Sequence, residues 1–339
     1  MKAVTLIDCT LRDGGFINDW RFGNQAIKNI FGKLDKAGVD FIEIGYIRND
    51  APVDTDRTVF PHTLAVVEML SSLERGNAKV SVLMDFGECS LENIHPREKT
   101  NIDLFRVTFK KHSISDVIPF LKEIHARGYD VAVQPVSVTS YSEDNMLQLI
   151  DRLNSLKLSS VAVVDTYGLM HWNETEKYFR LLDKNLAPGI NLGYHAHNNF
   201  QMGYGNSLML CTFPTERNIM IDASLYGMGK SAGNTNLELI AMHLNRTRNA
   251  NYDLVSLIEG IDSEITKLRP EAPWGYSLKY YFAALHACQP NYADFVLERF
   301  PISVANEILA KMDTEKKLVF DKDYVQAISQ SYKVRRKSK

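Results

Sequence analysis

The sequence predicts a closed (β/α)8 barrel, a TIM barrel, carrying a C-terminal α-helical extension. Three observations lead there. Eight short runs rich in β-branched residues alternate with longer helical patterns over the first two-thirds of the chain, which implies a parallel sheet with right-handed crossovers. No G-x-G-x-x-G follows the first run, which disfavours an open dinucleotide-binding sheet. The 339 residues, 45% of them hydrophobic, suit one barrel of about 250 residues plus an appendage.

Taken in order, strands are expected at about 4–9, 41–46, 79–85, 104–109, 130–138, 160–165, 191–197 and 219–225. Asn24 to Ala37 is a helical pattern ended by Gly38, and Ser115 to Arg127 is one ended by Gly128. Glu143 to Leu156 starts acidic and continues with apolar residues at helical spacing. After Asn249 the rhythm becomes helical only: Leu254 to Leu268, a break at Arg269-Pro270 and Ala272-Pro273, then Tyr276 to Cys288 and Val304 to Lys311. The expected division is a barrel over 1–249 and a helical extension over 250–339.

The net charge of −2 gives no global case for nucleic-acid or membrane binding. The basic tail Lys333 to Lys339 reads as a solvated terminus. The four cysteines, Cys9, Cys89, Cys211 and Cys288, are dispersed and form no C-x-x-C, so they read as small hydrophobes in a reducing compartment. With no signal-peptide pattern and no apolar run long enough to span a bilayer, a soluble, cytoplasmic protein is expected.

In such a barrel the active site lies at the C-terminal ends of the strands. The first strand runs into Arg12-Asp13-Gly14, the second ends near Glu43, the sixth ends at Asp165-Thr166, the seventh carries His195-Ala196-His197, and the eighth precedes Gly227 to Asn234. Side chains alternate along a strand, so His195 and His197 share a face. Two imidazoles and the Asp13 carboxylate make a three-ligand site for a divalent cation, with positions open for water or substrate. Asn234 offers an amide oxygen to the same ion, or else caps the helix that follows. This N/O donor set suits Mn²⁺, Mg²⁺, Co²⁺ or Zn²⁺. Arg12 is a fixed positive charge for a developing oxyanion. Glu43, Asp165 and Thr166 are expected to orient a ligand or substrate, or to serve as hydrogen-bonding groups at strand ends.

Asp8-Cys9-Thr10-Leu11-Arg12-Asp13-Gly14-Gly15 resembles the D-x-T-L-R-D-G signature of the DRE-TIM metallolyase superfamily. His195 to Asn199 resembles its H-x-H-N segment, and Gly227 to Asn234 resembles the G-x-G-x-x-x-G-N loop of the 4-hydroxy-2-oxovalerate aldolase branch. The resemblance implies Mn²⁺ or Mg²⁺ held by Asp13, His195 and His197, with Asn234 as a further ligand, and Arg12 steadying an enolate. It implies a carbon–carbon lyase acting on a small 2-oxo acid and an aldehyde. It also implies an acylating aldehyde dehydrogenase as partner, a homo-oligomer formed through the helical extension, and a catalytic tyrosine at Tyr280. That branch has a histidine base soon after R-D-G, where this chain has Gly15-Phe16-Ile17-Asn18-Asp19. His62, His112 or a metal-bound hydroxide are the candidate replacements. The alternative readings are a Claisen-type acyl transferase condensing acetyl-CoA with a 2-oxo acid, and a non-catalytic, metal-stabilised barrel.

Overall fold

Strand β1 (Val4–Asp8) lies between the first and last members of one parallel sheet that closes on itself. The others are β2 (Phe41–Ile47), β3 (Val59–Phe60), β4 (Lys79–Asp85), β5 (Leu104–Phe109), β6 (Asp130–Pro135), β7 (Ser160–Asp165), β8 (Asn191–Ala196) and β9 (Ile219–Ala223). The order is β1-β9-β8-β7-β6-β5-β4-β2, and β1 pairs back onto β2 through Ile7–Phe41 and Asp8–Ile42. The two-residue β3 adds to β2 outside this ring. It is too short to carry a periodic signal. The other eight strands are those expected from the sequence. The computed structural model describes residues 3–332, so the basic tail from Lys333 lies outside the described residues.

Helices α1 (Gly15–Asn18), α2 (Asn24–Lys36), α3 (Thr63–Ser71), α4 (Ile114–Ala126), α5 (Glu143–Leu153), α6 (Trp172–Asn185), α7 (Gly203–Cys211) and α8 (Leu237–Arg248) connect the strands. Helix α5 illustrates the local logic. The Ser142 side chain accepts from the Asn145 N–H, Glu143 and Asp144 face the positive end of the helix, and Met146, Leu149, Ile150 and Leu153 bury one face.

The barrel interior is built in layers, because inward side chains recur every second residue. Ile7, Leu104, Ala132 and Met220 form an apolar floor against which Phe41 packs. Two residues further along the strands stand Arg106, Gln134, Asp222 and Glu43, all buried. The polar layer therefore rests on an apolar plug beneath the mouth.

The segment after α8 divides in its packing. Helix α9 (Leu254–Gly260) continues through a π-helical turn at Ile261–Ile265 into α10 (Thr266–Leu268). It lies on α2, with Lys33 Nζ 2.5 Å from Glu259 and Asn29 donating to Glu264 at 2.8 Å. Leu257, Ile265 and Trp274 join the barrel core. A second core gathers Phe282, Tyr292, Val296, Ile308, Leu309 and Val325 from α11 (Leu278–Leu285), α12 (Pro290–Arg299), α13 (Ile302–Lys311) and α14 (Lys322–Ser329). The Tyr167 hydroxyl donates to the Leu318 carbonyl at 2.8 Å and brings this second unit over the barrel mouth. No helix among the described residues is long and apolar enough to cross a membrane.

Candidate metal centre

The turn after β1 is tied down from two sides. Asp8 accepts from the Thr10 N–H at 3.0 Å and the Thr10 hydroxyl at 2.7 Å. Thr10 Oγ1 in turn accepts from the Leu225 N–H at 2.8 Å, which links the turns after β1 and β9. Burial pushes the Asp8 carboxyl up to about 7. Asp8 therefore serves the turn, and the turn aims Arg12 and Asp13 at the barrel axis.

Arg12 is 5% exposed. Its Nη1 donates to Asp13 Oδ1 at 2.5 Å and its Nε to Glu43 Oε2 at 2.6 Å. The opposite oxygen of Glu43 accepts from Arg106 Nη1 at 2.8 Å, and Arg106 Nη2 donates to Asp222 Oδ2 at 2.5 Å. That Asp222 oxygen also lies 2.8 Å from His195 Nδ1. A chain of ion pairs thus runs Asp13–Arg12–Glu43–Arg106–Asp222 around the interior and ends on the hydrogen bond to His195. Each buried charge has an opposite neighbour, which offsets the cost of removing it from water. Glu43 was expected at this site; Arg106 and Asp222 were not. The available signal was a single charged residue in each of two strands with no other charge, LFRVTF and IMIDA.

The chain ends meet at one point. One ligand atom from each of Asp13, His195 and His197 lies within 4.8 Å of the others, and all three residues are buried. Asp222 orients His195 by accepting a hydrogen bond from its Nδ1–H, which turns Nε2 toward the ligand cluster. Burial pushes His197 down to about 3, against the pull of Asp13, so this imidazole is neutral. Burial works to raise Asp13, but Arg12, then His197 and His195, hold it well below the usual carboxylate range. Two buried polar atoms here have no partner, His197 Nδ1 and Asn234 Oδ1. Buried orphans of this kind are rare, and a cation among imidazole nitrogens, an ionised carboxylate and an amide oxygen would satisfy them. The residues fit a divalent metal ion.

Asn234 is fixed by its other end. Its Nδ2 donates to Asp13 Oδ2 at 2.8 Å and to the Met228 carbonyl at 3.2 Å, and its backbone bridges His197. The Lys230 N–H adds a bond to the same Asp13 oxygen at 3.2 Å. This loop approaches so closely that a Cβ on Gly229 would collide with Asn234 Nδ2 and Asp13 Oδ2. Trp274 holds the loop from outside, donating from Nε1 to the Tyr226 carbonyl at 3.0 Å.

The remaining expected residues separate. Asp165 turns its carboxylate to the N–H groups of Leu169 and Met170, each at 3.0 Å, while its carbonyl accepts from the His197 N–H at 3.1 Å. It thus shapes the rim, and burial pushes its carboxyl up to about 6. Thr166 accepts from the Ser137 N–H at 2.7 Å and lines a cavity at the mouth. Of the two histidines, His62 caps α3 through its Nδ1, whereas His112 lines the cavity. Tyr280 is half-buried on α11, with the Lys279 ammonium over its ring, and is not among the cavity-lining residues. Its neighbour Tyr281 meets Phe200, just after the histidine segment, at a ring separation of 5.8 Å.

Where a histidine was missing, an aromatic stack stands instead. Phe16, 43% exposed, packs on Trp20 at 4.8 Å, and Trp20 packs on Tyr46 at 5.9 Å. Trp20 Nε1 donates to the Arg12 carbonyl at 2.7 Å. The Tyr46 hydroxyl lies between Asp85 and Glu88, 3.4 Å from the Glu88 carboxylate. Burial, then the charge of Asp85, raises the Glu88 carboxyl.

Known proteins resemble this chain along most of its length. The chain is 24% identical to an oxaloacetate decarboxylase of Mycobacterium tuberculosis, over 91% of this chain and 90% of that protein. It is 25% identical to a 4-hydroxy-2-oxovalerate aldolase of Chloroflexus aggregans, over 96% and 94%. Its fold superimposes on the N-terminal domain of a Bacteroides vulgatus protein assigned as an aldolase, with a TM-score of 0.71 at 22% identity, covering 86% of this chain and 95% of that one. A family profile described as HMGL-like matches residues 3–262. The chain with this buried Asp–His–His cluster on a closed parallel barrel is therefore a member of the HMGL-like family.

Proposed function

We propose that the protein is a divalent-metal-dependent aldolase that cleaves or forms a 4-hydroxy-2-oxo acid through a pyruvate-type enolate. The observation that carries this reading is the Asp13–His195–His197 cluster with the Arg12 guanidinium bonded to its carboxylate. The aldolase named among its relatives supports it. Mn²⁺ or Mg²⁺ suits the carboxylate, amide-oxygen and imidazole donors, and would be held by Asp13, His195 and His197 with Asn234. Bound there, the ion supplies Lewis-acid polarisation of the substrate's keto oxygen.

The chain's own groups do the rest. Glu43 and Asp13 fix two nitrogens of Arg12, and Nη2 keeps no protein partner among the described residues. It is the donor left for the oxygen on which enolate charge develops, and such a preorganised donor contributes about 3–4 kcal/mol. In the cleavage direction the 4-hydroxyl gives up its proton and the C3–C4 electron pair passes into the enolate. The aldehyde leaves, and a proton returned to C3 yields pyruvate. We assign the 4-hydroxyl proton to Glu88, with Tyr46 as its hydrogen-bonded neighbour. Its raised carboxyl and its place on the cavity wall support that role.

The test is proton NMR of pyruvate in D₂O with protein and Mg²⁺. The methyl signal is expected to decay as C3 exchanges, and to persist with Asp13→Ala. A protein that binds metal and leaves the methyl signal intact overturns the reading.

A further inference from the structure

Above the metal centre the mouth opens into a cavity of about 770 Å³, roofed by Leu318 and Phe320 of the helical extension. Lys110, Lys111 and His112 lie together at the entrance to α4, and Lys230 stands on the loop whose N–H bonds Asp13. None of the three lysines forms an ion pair with a carboxylate among the described residues. Lys111 Nζ reaches only the Ser140 carbonyl, at 3.4 Å, and the Tyr141 ring, and Lys230 Nζ lies over the Phe16 ring. Three acids share the wall: Asp85 and Glu88 flank the Tyr46 hydroxyl, where Glu88 also feels Arg48, and Glu315 comes from the helical extension, with no ion pair to any of the three lysines.

A chain of net charge −2 has no general excess of cations to leave at its active-site mouth. Lys111 is half-buried and Lys110 exposed, and ammonium groups without a carboxylate partner gathered at one mouth raise the local concentration of anions. Lys230 lines this cavity while its backbone N–H bonds Asp13, so the cavity and the metal centre share the loop after β9, and the cavity is the space open to the part of a substrate that reaches beyond the metal. A short neutral aldehyde would leave Lys110 and Lys111 unanswered.

Resting on the aldolase reading, we infer that the aldehyde half of the substrate carries its own anionic group, a carboxylate or a phosphate, seated against Lys110 and Lys111. These residues determine specificity and take no part in the bond-making step. The substrate is then at least dianionic, with one carboxylate at the metal and a second anion at the far end.

The experiment measures aldol addition of pyruvate to three aldehydes by the Mg²⁺-loaded protein: butyraldehyde, succinic semialdehyde and glyceraldehyde 3-phosphate. At least one anionic aldehyde is expected to exceed butyraldehyde by about tenfold or more in kcat/KM. The anionic arm that does so separates carboxylate from phosphate. The double variant Lys110→Met, Lys111→Met should lower that preference about tenfold, mainly through KM of the anionic aldehyde, with its melting temperature reporting that it is folded. Equal or better use of butyraldehyde by the unaltered protein overturns the inference, as does a folded variant that keeps the full anionic preference. Pyruvate deuteration by the unaltered protein separates the two readings. If exchange proceeds without anionic preference, only this inference falls; if exchange fails, the aldolase reading falls and takes this one with it.

Discussion

One oxygen of Asp222 serves two partners: Oδ2 lies 2.8 Å from His195 Nδ1 and 2.5 Å from Arg106 Nη2. Asp222→Asn removes the charge that both depend on. Metal affinity is expected to fall about 10–100-fold, because the imidazole loses its orienting carboxylate. Stability should fall by about 3–5 kcal/mol, because Arg106 stays buried with less counter-charge. Metal titration and chemical denaturation of the variant measure the two effects separately.

Arg12→Lys keeps a positive charge but cannot bond Glu43 and Asp13 while presenting a third nitrogen. Pyruvate deuteration should slow about 10²–10³-fold. Metal affinity should change far less, since the ligand cluster is intact. Equal losses in both would show that Arg12 holds Asp13 and does nothing more.

Glu88→Gln should lower cleavage of a 4-hydroxy-2-oxo acid by about 10²–10⁴-fold at constant metal affinity. Because burial and Asp85 raise the Glu88 carboxyl, the acid limb of the kcat/KM profile should belong to this group and disappear in the variant. A profile that survives Glu88→Gln and vanishes with His112→Gln would transfer the role to His112.

Asp8 sets a pH dependence of stability. Its carboxyl titrates at about 7 in the folded protein and near ~4 when unfolded. Between those values the folded state holds a proton that the unfolded state has lost. The contribution is therefore full below ~4 and is lost as pH rises through about 7. Relative to Asp8→Asn, the unaltered protein should lose at most ~4 kcal/mol across this window. Denaturation midpoints at pH 5 and pH 8 test the sign.

Gly229→Ala places a methyl group against Asn234 Nδ2 and Asp13 Oδ2. Overpacking of this kind costs about 1–3 kcal/mol. The loop must retreat from Asp13, so metal affinity should fall with stability. Calorimetry with and without Mg²⁺ would show a smaller metal-induced rise in melting temperature.

The barrel was legible in the sequence because strand and helix periods differ, and each of the eight barrel strands ran long enough to display its own. Asp13, His195 and His197 were legible because the barrel brings every strand's C-terminal end to one rim. Arg106 and Asp222 were hidden because their partners lie 63 and 116 residues apart in the chain, a relation no local spacing displays. Asp165 sits at a strand end like the other rim residues, but its carboxylate turns back onto the Leu169 and Met170 amides, which only the conformation of the following turn decides. The helical pattern after Asn249 reads as one continuous theme, yet Leu257 and Ile265 bury in the barrel core and Phe282 in another, because amphipathicity shows that a helix has an inner face and not what that face meets.

The run of ion pairs from Asp13 to Asp222, with His195 hydrogen-bonded at its end, has a kinetic consequence. Its members come from β2, β5, β8, β9 and the turn after β1, so no part of the chain assembles it early. Contacts of such long sequence separation form only after the intervening chain has been ordered. During refolding, metal uptake should trail the recovery of helical signal and coincide with pairing of β1 to β9, the strand that joins it to β8. The ion's arrival would then time the moment at which the first strand meets the last.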